Sequence, residues 1–346
     1  MASARAVRPV RLYFLILFAL GLAAFVFAVK GRFPAGLFLY PPPVDWLPPR
    51  SGTQWLAAFA AHQQDPIFAA CGGAQSLKEF QTLYWWEWLR QASLLLAAAG
   101  ATAAFIGAAA MRQFRFALPR LIGLGLLVLA YAVMRWLVGL AAGNVDELAR
   151  FNVGQYRHAV DVTFASAVVA AVLASALGPP PAGTRRFHLA AWLWGGALLL
   201  DIAFGALFMA RDAAAVWPGL RDVPPLERFT SYDPFWLNVL FNPYTIQLVH
   251  RALSGGLWIA ALGYFVRSIR RSPASVTGAA VLFGLMTAQM ALGIATLVLG
   301  VPPALSLLHR VGGVLLLAAA FALVSRFRSS PEFAARPEAN FGIEGH

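Results

Sequence analysis

The chain has 346 residues, 60% of them hydrophobic and only 12% charged. A water-soluble domain carries about 25% charged residues, so this composition excludes an ordinary globular protein. The net charge of +12 is laid out as short arginine clusters between apolar runs, which is a membrane-topology pattern and excludes a nucleic-acid binder.

The first apolar run, 12–29, follows Arg5, Arg8 and Arg11. It resembles a signal peptide but lacks a small-x-small cleavage site, so it is expected to stay as a first membrane helix. Seven further runs follow near 83–108, 121–141, 158–178, 189–209, 243–266, 276–299 and 304–325. Each is long enough to cross roughly 30 Å of hydrocarbon as a helix. The expected fold class is therefore an all-α integral membrane protein with eight transmembrane helices in the lipid bilayer.

Alternate connections carry Arg112, Arg115 and Arg120, then Arg185 and Arg186, then Arg267, Arg270 and Arg271, and the tail adds Arg326, Arg328 and Arg336. Basic residues in short segments stay on the cytoplasmic side, which places both termini there. The opposite side has two long connections, 30–82 and 210–242, rich in Pro and Trp. Such stretches suit ordered caps at headgroup level. The loop pattern repeats: helix, long outer loop, helix, short inner loop, helix, short outer loop, helix. It predicts two tandem four-helix bundles, 1–178 and 189–325, joined by GPPPAGTRRFH and followed by a cytoplasmic tail, 326–346. The lone cysteine, Cys71, excludes an intrachain disulfide and Cys-rich metal sites.

The sharpest chemistry lies in the second unit. His250 and His309 each sit about two turns inside an apolar span, at similar depths, and each is followed by an arginine, Arg251 or Arg310. Ionisable side chains are costly in lipid and mark functional sites by default. Two imidazoles at equal depth on facing helices suit axial ligation of one heme iron. The arginines would then meet the propionates as guanidinium partners. Gly255 and Gly256, and Gly312 and Gly313, remove bulk one turn below each histidine, as a flat macrocycle requires. His158 is expected to be solvated at the mouth of its helix, and His62 to lie in a loop.

Superposing the two units puts Arg90 where His250 is, Glu87 where Gln247 is and Asp161 near the place of His309. Arg90 and Asp161 would then form a buried structural ion pair that Glu87, one turn before Arg90, can share. Asp201 and Arg135 are two further charges in spans, to which the sequence assigns no role.

Segments along most of the chain carry a resemblance: SLKEFQTLYWWEW (76–88), NVGQYRHA (152–159), FMARDAAAVWPGL (208–220), IQLVHRALSGG (246–256) and QMALGIATLVLGVPPALSLLHR (289–310). The chain is similar to the heme A synthase family of cytochrome oxidase assembly proteins. The resemblance implies two four-helix halves in a bacterial inner membrane. The second half would bind heme b through His250 and His309. The first would bind heme O and oxidise its C8 methyl to a formyl, with Glu87 as a catalytic residue beside two histidines. The family's E-[WY]-x-H-R-x-x-G-R reads Glu87-Trp88-Leu89-Arg90-Gln91-Ala92-Ser93-Leu94-Leu95, and its Y-R-x-A-x-H reads Tyr156-Arg157-His158-Ala159-Val160-Asp161. Both first-half ligand histidines are therefore replaced. Two functions follow as expectations: an oxidoreductase converting heme O to heme A, or a non-catalytic heme b paralogue acting in oxidase assembly or electron transfer. Heme O synthase, other assembly factors and a second copy of the chain are the expected partners.

Overall fold

A computed structural model describes residues 4–30, 44–64, 76–110, 118–143, 147–177, 185–211, 213–219, 222–271 and 273–326. The long helices are α1 (Ala4–Lys30), α3 (Leu77–Ala110), α4 (Leu118–Gly143), α5 (Glu147–Leu177), α6 (Arg185–Ala210), α10 (Pro243–Arg271), α11 (Pro273–Val298) and α12 (Pro303–Arg326). Short helices lie in the two long connections: α2 (Gly52–Gln63), α7 (Ala213–Val216), α8 (Leu226–Phe229) and α9 (Leu237–Phe241). No strand occurs among the described residues.

Six helical stretches among the described residues are long and apolar enough to cross a membrane: Arg11–Ala28, His158–Ala176, Trp192–Ala210, Pro243–Arg270, Val276–Val298 and Pro303–Ala320. The chain is an integral membrane protein. The other two expected spans fall within α3 and α4, where Arg120–Met134 is a shorter apolar stretch. Most of the linker (178–184) and the tail beyond 326 lie outside the described residues, as do Cys71 and the connection at 111–117.

Helix starts and stops follow local chemistry. Proline opens α10, α11 and α12, where its missing N–H would be unpaired anyway. Gly300, at φ +74°, ends α11. Its N–H reaches Leu297 O at 3.1 Å, and Val301 N reaches Thr296 O at 2.8 Å, the paired bonds of a Schellman stop. Val301 follows at φ +58°, a left-handed conformation that a β-branched residue adopts at a cost of about 1–2 kcal/mol. This strained turn reverses the chain into α12 and so sets the height of His309.

The helices pack as neighbours in a regular order. In the first half, α1 contacts α3 and α5, and α4 contacts the same two. In the second half, α6 contacts α10 and α12, and α11 contacts the same two. The halves meet where α5 lies against α6 and α12. Interior contacts mix alanine with larger apolar residues, as in Ala261, Leu282 and Leu317, and Phe25, Val169 and Val314 meet at the junction of α1, α5 and α12.

Both long connections are folded where they are described. Ser51 caps α2 reciprocally with Gln54. Trp55 of that helix packs edge-on to Tyr84, 5.0 Å between centroids, and the Tyr84 hydroxyl accepts from Asp45 N at 3.1 Å. In the second connection, Asn242 is fully buried before α10; its side-chain amide donates to Arg228 O, Ser231 Oγ and Asn238 Oδ1.

Candidate heme site and its first-half counterpart

His250 is the eighth residue of α10 and His309 the seventh of α12. At 1.5 Å per residue they lie about 9–10 Å below their helix starts, as the sequence spacing implied. The helices α10 and α12 make no substantial contact with each other; α6 and α11 stand between them on either side. The two imidazoles therefore come from opposed helices. His250 and Asp201 lie near enough to act electrostatically on His309.

Each ring is backed by the helix beside it. His250 Nδ1 lies 2.8 Å from Asp201 Oδ1 and 3.2 Å from the Asp201 carbonyl oxygen, both on α6. Ser254, one turn after His250, donates to both Asp201 carboxylate oxygens at 3.0 and 2.9 Å. His309 Nδ1 lies 3.1 Å from Gln289 Nε2 on α11, and the same amide donates to the His309 carbonyl at 2.7 Å. Four residues after each backing residue comes a glycine against the ring. A Cβ on Gly205 would stand 3.1 Å from His250 Cε1, and one on Gly293 would stand 2.7 Å from His309 Cε1. Neither Nε2 has a hydrogen-bond partner among the described residues.

Sequence reasoning missed this backing. In the sequence Asp201 is one charge within a span, and Gln289, Gly205 and Gly293 carry no mark of a role. The signal was there as a repeated spacing, Asp201-x-x-x-Gly205 and Gln289-x-x-x-Gly293.

Several expectations need correction. Gly312 and Gly313 do not clear space for a macrocycle, because the Gln289 side chain lies against both. The space beside Gly255 and Gly256 is open. Arg251 is turned to the connection between α6 and α10: its Nη2 donates to Trp217 O and Gly219 O at 3.2 and 3.1 Å, and its guanidinium lies 3.8 Å from the Trp217 ring centre. That uses one nitrogen and leaves the other N–H groups of its five available. Arg310 is half-buried beside His309 on α12. His158 is buried, 4% exposed, and so is His62, which sits in α2 with its ring against Phe80.

In the first half, Glu87 and Arg90 share a face of α3, and Arg90 Nε donates to Glu87 Oε2 at 2.8 Å with a second, closer contact from Nη2 to Oε1. Asp161 of α5 accepts instead from the Tyr131 hydroxyl of α4 at 2.9 Å. The expected direct Arg90–Asp161 pair is therefore replaced by Arg90–Glu87. A partner one turn away on the same helix is reached without bridging the space between α3 and α5. Tyr131 to Asp161 has the same helix-to-helix placement as Gln289 to His309. Four residues beyond Tyr131, where Gly293 follows Gln289, the sequence has Arg135.

Comparison with known proteins gives the family. A family model described as cytochrome oxidase assembly protein matches residues 41–321. The chain is 33% identical over 291 residues to a protein named heme A synthase from Chelativorans sp. (strain BNC1), covering 78% of this chain and 77% of that one. It is 32% identical over 286 residues to a heme A synthase of Azorhizobium caulinodans, covering 79% and 80%. It is 29% identical over 343 residues to one of Rhodopseudomonas palustris (strain BisB5), covering 94% and 93%. The chain belongs to the heme A synthase family of cytochrome oxidase assembly proteins.

Proposed function

We propose that this chain is a membrane heme protein of heme A formation and cytochrome oxidase assembly, with heme b held between His250 and His309. The reading includes eight membrane helices in two tandem four-helix units, in a bacterial inner membrane with both termini cytoplasmic. The observation that carries it is that each imidazole is met at Nδ1 from a neighbouring helix, by Asp201 or by Gln289, so that Nε2 is the nitrogen each ring turns away from those partners. Among the described residues no three His, Cys, Asp or Glu side chains gather as a metal site. A heme would need only two further ligands from the protein, and His250 and His309 would supply them. When bound, the heme would supply a one-electron iron couple. Arg310, and the remaining donors of Arg251, would pair with its propionates.

The first half supports no equivalent ligation. Arg90 and Asp161 stand where imidazoles would be needed, and both are engaged, by Glu87 and by Tyr131. This favours a non-catalytic paralogue that assists oxidase assembly or passes electrons, with heme O synthase, another assembly factor or a second copy as partner. A second reading is a working oxidoreductase that converts heme O to heme A. It is favoured by Glu87, 5% exposed at the position the family uses, and by the names of the relatives.

Acid extraction of the purified protein with mass spectrometry, alongside a reduced-minus-oxidised spectrum, tests both. Heme b alone, lost in His250→Ala and His309→Ala, is the expected result. Heme A or a hydroxylated intermediate would support the second reading, and heme O alone would mean that the first half still binds substrate. Absence of any heme from the wild-type protein would overturn both.

A further inference from the structure

We infer that Asp201 and Gln289 are positioning residues that make the two axial imidazoles unequal, with His250 the fixed ligand and His309 the displaceable one. The inference rests on the heme reading above and goes beyond it. Both rings are held by one construction: a polar side chain on the neighbouring helix meets Nδ1, and a glycine four residues later accommodates the ring edge. What differs is the chemistry of the polar group.

A carboxylate only accepts hydrogen bonds. With Asp201 Oδ1 2.8 Å from Nδ1, and the Asp201 carbonyl oxygen also 3.2 Å away, both neighbours of that nitrogen are acceptors. The proton of His250 is thereby placed on Nδ1, and the lone pair of Nε2 is free for iron. The negative charge behind the ring strengthens its donation, which favours ferric over ferrous iron. Ser254 fixes the carboxylate through both oxygens, so this orientation is held from α10 as well as α6.

Gln289 is neutral and is placed differently. Its Nε2 donates to the His309 carbonyl at 2.7 Å, and its other N–H faces Nδ1 at 3.1 Å. A donor aimed at Nδ1 favours the tautomer with the proton on Nε2, which opposes iron binding there. For His309 to ligate, the Gln289 amide must turn over and give up its bond to the carbonyl. His309 is therefore the weaker axial ligand, and a small molecule reaching the ferrous iron would displace it rather than His250.

The test uses the full-length protein in detergent with its heme. Midpoint potentials are measured by spectroelectrochemistry, ferric electron paramagnetic resonance spectra are recorded, and carbon monoxide is added to the reduced protein. The wild-type protein is expected to take up carbon monoxide to a measurable extent. Gln289→Glu, which puts a carboxylate behind His309, should lower the midpoint potential, shift the ferric spectrum and suppress carbon monoxide uptake. Asp201→Asn should raise the potential, and Asp201→Glu should restore part of the shift. Should Asp201→Asn not fold, Ser254→Ala, which frees the carboxylate to turn, gives the same direction with a smaller shift. Heme-loaded Gln289→Glu and Ser254→Ala with wild-type potentials and wild-type carbon monoxide uptake would overturn the inference while leaving the heme reading intact. A wild-type protein without heme would overturn the heme reading itself, and the inference with it.

Discussion

A methyl group added at Gly293 tests the ring-accommodating role of the two glycines most directly, because the same change at Gly205 provides an internal control. A Cβ at 293 would stand 2.7 Å from His309 Cε1 and 3.3 Å from both ring nitrogens, roughly 0.7 Å inside ordinary van der Waals contact at the closest atom. The ring has little room to retreat, since Gln289 holds Nδ1 at 3.1 Å. At 205 the nearest approach is 3.1 Å, to His250 Cε1, a shortfall of only about 0.3 Å that a small ring movement absorbs. Overpacking costs about 1–3 kcal/mol, and replacing a helical glycine by alanine returns about 0.5–1 kcal/mol. Gly293→Ala should therefore destabilise by about 1–2 kcal/mol, while Gly205→Ala should be close to neutral. Thermal unfolding of both variants in one detergent, at one scan rate, followed by helical circular dichroism, gives the comparison. Equal midpoints, or a lower midpoint for Gly205→Ala, would refute the steric argument.

Two further outcomes are expected. Arg90→Leu leaves the Glu87 carboxylate, 6% exposed at its side chain, without its cation and should cost on the order of 3–5 kcal/mol. The double variant Arg90→Leu/Glu87→Leu should recover most of that loss in a double-mutant cycle; a double variant as unstable as the single one would mean that the pair does not act as a unit. At the start of α3, hydrogen bonds from the Ser76 backbone N–H and then its hydroxyl hold the exposed Glu79 carboxyl below its ordinary 4.5. The folded value is the lower one, so this cap is fully present above the unfolded value and is lost as pH falls through the folded value. Protection of the first-turn amides of α3, taken relative to their intrinsic exchange rates, should fall across that acidic range, and in Glu79→Gln that fall should vanish.

The long helices were legible because hydropathy is a local property: a run of apolar residues selects a helix in lipid whatever its neighbours are. The depths of His250 and His309 were equally legible, since rise per residue converts sequence position into height once proline marks the helix start. Family membership was carried by the segments around those two histidines. What faces a side chain from another helix was not legible, because it depends on how each helix is rotated and which helices are adjacent. The sequence showed Asp201 as a charge in a span, and only the packing of α6 against α10 made it the partner of His250. Gln289 and Gly293 belong to a recognisable segment, yet their contact with His309 exists only because α11 lies beside α12.

The first half shows the same division. That Arg90 and Asp161 replace imidazoles could be read from the residues, but the choice of partner could not. Arg90 has two carboxylates within its wider surroundings, and the one on its own helix face prevails because no other helix has to move to reach it. His158 looked solvated from its place at the mouth of a helix, and the packing of that end of α5 buried it to 4% exposure. The sequence by itself determined the membrane class, the positions of the helices, the family and the height of the histidine pair, all of which depend on order along one chain. Tertiary structure alone decided which groups back the imidazoles and which charges pair, because those depend on rotation and distance between helices that are far apart in sequence.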